Sequence, residues 1–223
     1  MRFGGGHTRR TNSVWPMRAG VLPVEQKIDA CERAYDAAGL PIVFRIPSIT
    51  PDHALDGALA ARGYHKRDKT SIRLMALADL TAHPAAAVVL EPTLADDWLA
   101  AFARFDGMTA SECDSHRAIV ARTSWPTMFG SIRDGGAVAA VAAAVLQDRF
   151  VYFNSVATDA AKRRRGFGRA VMVGLLDWAR RQGAAYAHLP VVKTNVSGLA
   201  LYKSLGFRAE LYRYHYRERP PAA

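Results

Sequence analysis

Apolar positions change period several times along the chain, and each change marks an element. Val88-Val89-Leu90 reads as a short strand closed by Glu91-Pro92. Over Ala95–Phe105 the large residues Trp98, Phe102 and Phe105 fall four and three apart, which places them on one helical face. A second helix is expected over Ser111–Thr123, opening at Ser111-Glu112. Asp134-Gly135-Gly136 then separates two apolar stretches, Thr127–Ile132 and Ala137–Leu146, as a hairpin turn. The alanines of 137–146 also allow a helix; the interspersed valines and the tight turn favour a strand. Phe150–Val156, aromatic and β-branched, is a third strand. A glycine-containing loop follows, then a helix over Arg169–Gln182 with Val171, Leu175 and Trp178 on one face. Strand Tyr186–Val192, helix Ser197–Leu205 and strand Phe207–Tyr216 complete the series.

The earlier part of the chain echoes this one. Asn12-Ser13-Val14 returns as Asn154-Ser155-Val156, Ile46-Pro47 as Leu189-Pro190, and Leu59–Tyr64 aligns with Tyr202–Phe207, at offsets of 142 to 143 positions. So long a period excludes a solenoid and predicts two related α/β modules. Residues 1–78 read as half a module and residues 84–223 as a complete one. The alanine-rich stretch 76–87 links them and ends at Pro84.

Half of the 223 residues are hydrophobic, enough for a substantial core. The longest apolar run, Gly136–Leu146, is about half of the roughly 20 residues a membrane helix needs, so no membrane partner is expected. Met1-Arg2-Phe3 runs into Gly4-Gly5-Gly6 with no apolar stretch. Two cysteines, Cys31 and Cys113, build neither a disulfide framework nor a metal cluster. These features point to a cytoplasmic protein. The formal charge of +10 favours polyanionic partners or a nucleotide cofactor, or simply serves solubility. No basic stripe interleaved with aromatics argues for nucleic acid.

The densest basic cluster is informative because of what surrounds it. Lys162-Arg163-Arg164-Arg165-Gly166-Phe167-Gly168 stands between a strand and a helix. A helix N-terminus exposes unpaired N–H groups and carries about half a positive charge, and glycines let the backbone close on an anion. No Gly-Lys-Ser/Thr follows, so this is not a Walker loop. The third glycine of a dinucleotide fingerprint is absent too.

Arg163, Gly166 and Gly168 fill the pattern Arg/Gln-x-x-Gly-x-Gly/Ala after a strand. Asn195, Ala200-Leu201-Tyr202 and Leu205-Gly206-Phe207 follow it downstream. Over about residues 84–223 the sequence thus resembles the GNAT superfamily of N-acetyltransferases. The resemblance implies an α/β (α+β) fold: a mixed, mostly antiparallel seven-stranded sheet, splayed between its fourth and fifth strands and flanked by helices, preceded here by a partial copy. It implies acetyl-coenzyme A as cofactor. Backbone from Val156 to Thr158 would pair with the pantetheine arm. The amides of Arg164, Arg165, Gly166, Phe167, Gly168 and Arg169 would cradle the pyrophosphate, with Arg163 beside them. Asn195 would hydrogen-bond the arm, and Tyr202 would lie near the sulfur. Ala160 departs from the pattern, since relatives often carry proline there.

Acetyl transfer to an amine needs a neutral amine, a polarised carbonyl and a protonated leaving thiol. Tyr202 suits the last role, since a phenol with a pKa of about 10 keeps its proton at pH 7. His188, sharing a strand face with Tyr186 by alternation, is a candidate base. Glu112, Asp114 and His116 lie on the stretch that in this family often rims the acceptor site, and Asn154 sits on the strand beside the loop. In the first copy Leu59 replaces Tyr202, Arg45 replaces His188, and no cradle is present, so that half is expected to be non-catalytic. The acceptor stays open among peptide N-termini, lysine, polyamines, aminoglycosides and other small amines, and a homodimer is compatible with the sequence. The competing reading is a non-catalytic acyl-coenzyme A sensor or binding module.

Overall fold

A computed structural model describes residues 1–6, 8–85 and 87–219; Ala86 of the expected linker and the last four residues of the second expected module lie outside them. The elements run α1 (Val24–Ala37), β1 (Val43–Pro47), α2 (Leu55–Ala61), β2 (His65–Ala76), β3 (Val88–Glu91), α3 (Asp96–Asp106), α4 (Ala110–Ala121), β4 (Thr127–Asp134), β5 (Ala137–Gln147), β6 (Phe150–Thr158), α5 (Phe167–Arg181), β7 (Tyr186–Val192), α6 (Val196–Leu205) and β8 (Ala209–Glu218). They form two compact units. The first comprises the described residues of 1–71, 192–194 and 212–219; the second comprises those of 72–191 and 195–211.

In the first unit the strands are ordered β1-β8-β2. β1 is antiparallel to β8, with Arg45 opposite Tyr216 and Pro47 opposite Tyr214. Val14 adds a parallel bridge to Phe44. Helices α1 and α2 close one face with a core of Ile28, Tyr35, Phe44, Ile46, Leu55, Leu59 and Tyr64. Leu59 is fully buried there, as an aliphatic helix position should be.

The second unit has the strand order β8-β2-β7-β6-β5-β4-β3. One of its seven strands, Ile72–Ala76 of β2, thus comes from the N-terminal part of the chain. Neighbours from β3 to β6 are antiparallel, whereas β6 and β7 are parallel. The alanine-rich segment is indeed strand β5, with Ala139, Ala140, Ala142 and Ala144 wholly buried. Its small side chains leave room for α5. Close approach is needed at Gly130 of β4 as well, where an added Cβ would lie 2.9 Å from Val171 and 3.1 Å from Leu175. Gly174 of α5 meets Val88 at 2.9 Å in the same way. The other sheet face carries α3 and α4 on a second cluster containing Trp98, Leu99, Phe102, Phe129, Val138 and Val141. Trp98 donates its indole N–H to the Gly130 carbonyl at 2.9 Å, which satisfies that buried donor.

Of the boundaries that differ from expectation, three have clear local reasons. α4 begins earlier because Thr109 and Glu112 form a reciprocal capping box. α5 begins at Phe167, not Arg169, because Gly166 takes φ 86° as its N-cap. β8 begins at Ala209, not Phe207, because Gly206 at φ 110° ends α6 and the chain needs another turn residue before extending.

Candidate active site

β6 and β7 pair only through Phe150–Tyr186, Val151–Ala187 and Tyr152–His188. Beyond these residues β6 continues to Thr158 and β7 to Val192 without a ladder between them. Pro190, which has no N–H, lies past the last pair, where a missing donor costs nothing in that ladder. On its other side β6 stays paired with β5, but the register slips: Val141 faces Ala157 while Ala143 faces Asn154. The extra residue is in β6. Ser155 takes φ 51°, a conformation a non-glycine residue adopts only under constraint, and its hydroxyl donates to Asn154 Oδ1 at 2.9 Å. The bulge resets which side chains face α5. Phe153 and Val156 pack into the α5-side core, whereas Ala157 packs on the α3 side.

The chain leaves β6 through a short 3-10 turn, Ala160–Lys162, whose start is capped by Asp159. Arg164 (φ 66°) and Gly166 (φ 86°) are both left-handed, bracketing the turn into α5. The first bond of the helix runs from Ala170 N–H to the Gly166 carbonyl at 2.9 Å, so Phe167, Gly168 and Arg169 occupy the first turn, where backbone donors have no partner within the helix. A Cβ on Gly166 would meet nothing within 4 Å, whereas one on Gly168 would sit 2.8 Å from Thr158 Oγ1. The loop is therefore open above Gly166 and closed below Gly168. This is a backbone cradle suited to an anion at a helix N-terminus.

The basic residues of the loop divide in their roles. Arg165 makes two bonds to the Asp134 carboxylate, at 2.8 and 3.0 Å, and lies over the Phe167 ring at 4.9 Å. Lys162 donates to the Asp134 backbone carbonyl at 2.6 Å and to its carboxylate at 3.1 Å. Those two partners, Arg165 first, hold the Asp134 carboxyl below the usual carboxylate range. Arg165 and Lys162 thus brace the loop against the β4–β5 hairpin, while Arg163, Arg164 and Arg169 are solvent-exposed.

Tyr202 of α6 is 7% exposed, packs edge-on against Phe207 with ring centroids 6.1 Å apart, and lines a cavity with Arg73, Leu199, Lys203 and Arg208. Burial pushes its hydroxyl up to about 12. Asn195 caps the same helix, its Oδ1 accepting from Gly198 N–H at 2.8 Å. His188 sits at the last position where β7 pairs with β6, its ring 5.3 Å from that of Tyr152. Its Nδ1 is buried with no hydrogen-bond partner among the described residues, and burial lowers its pKa, keeping the imidazole neutral at pH 7. The charged form is disfavoured in the fold, so stability should fall as pH drops below the unfolded histidine value of about 6.5. His188→Phe should flatten that acid-side loss; urea midpoints for wild type and variant at pH 7.5 and 5.5 measure it.

On the α4 rim, Glu112 spends its carboxylate on the capping box, accepting from Thr109 N–H at 2.8 Å. His116 packs its ring 5.3 Å from Phe102 and 6.4 Å from Trp98. Both residues hold α4 in place. Tyr152 and Asp134 were not singled out from the sequence. Alternation from Asn154 places Tyr152 on the same strand face, a usable signal, whereas Asp134 read only as a hairpin residue.

A sheet that parts at a parallel strand pair, with a bulged strand leading into a glycine-capped helix, is the architecture of the GNAT acyltransferases, and solved structures agree. A GCN5-related N-acetyltransferase from Sphaerobacter thermophilus matches at TM-score 0.71 and 13% identity, over 93% of this chain and 72% of that one. A tandem GNAT protein from the clavulanic acid biosynthesis pathway matches at TM-score 0.69 and 14% identity, over 95% and 77%. Among curated relatives, an uncharacterized N-acetyltransferase of Bacillus subtilis, YobR, is 26% identical over 97% of this chain and 88% of its own length. The [ribosomal protein bS18]-alanine N-acetyltransferase of Escherichia coli (strain K12) is 34% identical over 40% of this chain and 59% of its own. The chain belongs to the acetyltransferase family described as "Probable histone acetyltransferase Rv0428c C-terminal", whose model matches residues 1–217. No helix among the described residues is long and apolar enough to cross a membrane.

Proposed function

We propose that the protein transfers an acetyl group from acetyl-coenzyme A to a primary amine by direct attack, with both substrates bound at the second unit. The observation that carries this reading is the unpaired edge of β6 running into the open backbone cradle at Arg164–Arg169. That edge offers strand-like hydrogen bonds to an extended amide-containing arm at Val156–Thr158, and the cradle offers donors to a pyrophosphate. Gly166 leaves the space such an anion requires. Arg163, Arg164 and Arg169 add exposed positive charge at the cradle, whereas Arg165 acts through the loop's shape. Acetyl-coenzyme A supplies the acyl group in activated form as a thioester.

The remaining chemistry falls to side chains of this chain. Tyr202 Oη holds its proton at neutral pH and donates it to the departing thiolate. His188, neutral and with an unengaged ring nitrogen, takes the amine proton directly or through water. A backbone N–H of the bulged strand polarises the carbonyl. Asn154, on the face of β6 shared with Tyr152, contacts the acceptor, and Asn195 orders the start of α6 beside the arm. Residues 1–78, with Leu59 in a buried core and no cradle of this kind among the described residues, carry no acetyl chemistry. We read this stretch as a degenerate half-module.

Initial rates measured over a matrix of acetyl-coenzyme A and amine concentrations should give intersecting double-reciprocal lines. Parallel lines accompanied by an acetylated enzyme in the mass spectrum would contradict direct attack.

A further inference from the structure

The first unit contains a buried group that its non-catalytic role leaves unexplained. Val14 lies on β1 as a parallel bridge, donating to the Val43 carbonyl at 2.8 Å and accepting from Arg45 N–H at 2.9 Å. Val14 and Phe44 turn into the apolar core under α1 and α2, so alternation puts Ser13, Trp15 and Arg45 on the opposite face. Arg45 is only 5% exposed. Its guanidinium lies between the rings of Trp15, at 4.5 Å, and Tyr214, at 4.0 Å. One edge nitrogen reaches Tyr212 Oη at 3.4 Å.

No carboxylate pairs with Arg45 among the described residues, and Asp68 and Glu218 of the same unit are both held by Arg9. Arg2 adds a second guanidinium over Trp15, at 5.1 Å. The field is felt locally: burial raises the Tyr214 hydroxyl, but Arg10 and Arg45 outweigh it and bring its pKa below the ordinary value. Three donors in this group are buried with no acceptor: Arg45 Nε, Trp15 Nε1 and Ser13 Oγ, with Ser13 itself 1% exposed. The neighbouring orphan Asn12 Oδ1 is an acceptor, on an amide fixed by its bond to the Pro41 carbonyl, and is not one of this set.

Aromatic faces stabilise the plane of a guanidinium but leave its edge N–H groups unanswered. A buried cation and buried donors both call for an acceptor. Water would satisfy the hydrogen bonds and leave the charge; an oxyanion satisfies both. We propose that Ser13, Trp15 and Arg45 form an oxyanion site in the first unit, which takes the carboxylate or phosphate group of a small molecule. Its evidence is independent of the transferase reading.

The test uses the full chain, 15N-labelled, in an oxyanion-free buffer, titrated with inorganic phosphate or with malonate at ionic strength held constant by chloride. The four tryptophans give resolvable indole N–H signals, and Trp15→Phe identifies that of Trp15. This signal should move saturably with at least one probe, and the melting temperature should rise by about 5–10 °C at one hundred times Kd. Saturation by phosphate alone assigns a phosphoryl ligand, and by malonate alone a carboxylate; either supports the site. Arg45→Met should abolish the response. Should that variant fail to fold, Ser13→Ala should weaken the affinity at least about fivefold. No saturable shift with either probe, an equal response in Arg45→Met, or unchanged affinity in Ser13→Ala where that variant stands in, would overturn the proposal.

Discussion

Tyr202→Phe should lower kcat on the order of 10²–10⁴-fold while leaving the Kd for acetyl-coenzyme A unchanged. The expectation rests on how the ring is held. Tyr202 is buried against Phe207 and packs into the α5-side core, and the substitution preserves the ring that makes these contacts. Only the hydroxyl is lost. Because burial raises that hydroxyl to about 12, it is protonated throughout the neutral range and available as a donor. The basic limb of the rate profile should report it, and should shift or vanish in the variant. Rapid-mixing kinetics for kcat, with calorimetry for Kd, separate the two terms. A weakened Kd with near-normal turnover would make Tyr202 a binding contact and assign the proton to water or to the acceptor amine.

Gly166→Val should raise the Kd for acetyl-coenzyme A by at least about 100-fold and remove the thermal shift that the ligand confers on wild type. Two effects combine. The residue sits at φ 86°, where a side chain costs about 1–2 kcal/mol, a strain that a protein of this size survives. The larger effect is spatial: a Cβ there touches nothing in the protein, so it projects into the room left for the anion. Gly168 is a poorer probe, because its Cβ would first collide with Thr158 and disturb β6. Wild type at one hundred times Kd should gain about 2.7 kcal/mol. Circular dichroism of the free variant should show the fold intact. A retained ligand shift in Gly166→Val would move the phosphate site elsewhere.

Much of this site was legible in the sequence, for reasons that can be named. The turn was readable because glycine is the residue a left-handed N-cap demands, and Gly166 stood a few residues ahead of the helical period that begins at Arg169. The alanines of β5 were ambiguous by propensity. Valines and an Asp-Gly-Gly turn resolved them correctly because strand pairing, not intrinsic preference, decides a buried segment. The bulge was not legible: Ser155 carries no sign that it adopts φ 51°, since register against β5 imposes it. The side-chain partners of Glu112 and Arg165 were not legible, because charge alone does not reveal a partner. Glu112 belongs to a capping box whose Thr109 lay just outside the expected helix, and Arg165 belongs to Asp134, distant in sequence. Arg45 drew notice only as the residue aligned with His188. Its burial between two aromatic rings depends on Trp15 and Tyr214, which no local pattern connects.

The central claim is that this chain moves an acetyl group from a thioester to an amine. Coenzyme A release by wild-type protein, followed with a thiol reagent across a panel of peptide, polyamine and small-molecule amines, tests it most directly. The account predicts amine-dependent thiol release with at least one member of the panel, matched mole for mole by an acetylated product in the mass spectrum. Thiol release no greater with any amine than without one, while acetyl-coenzyme A still binds and stabilises the fold, would contradict it and identify an acyl-coenzyme A binding module instead.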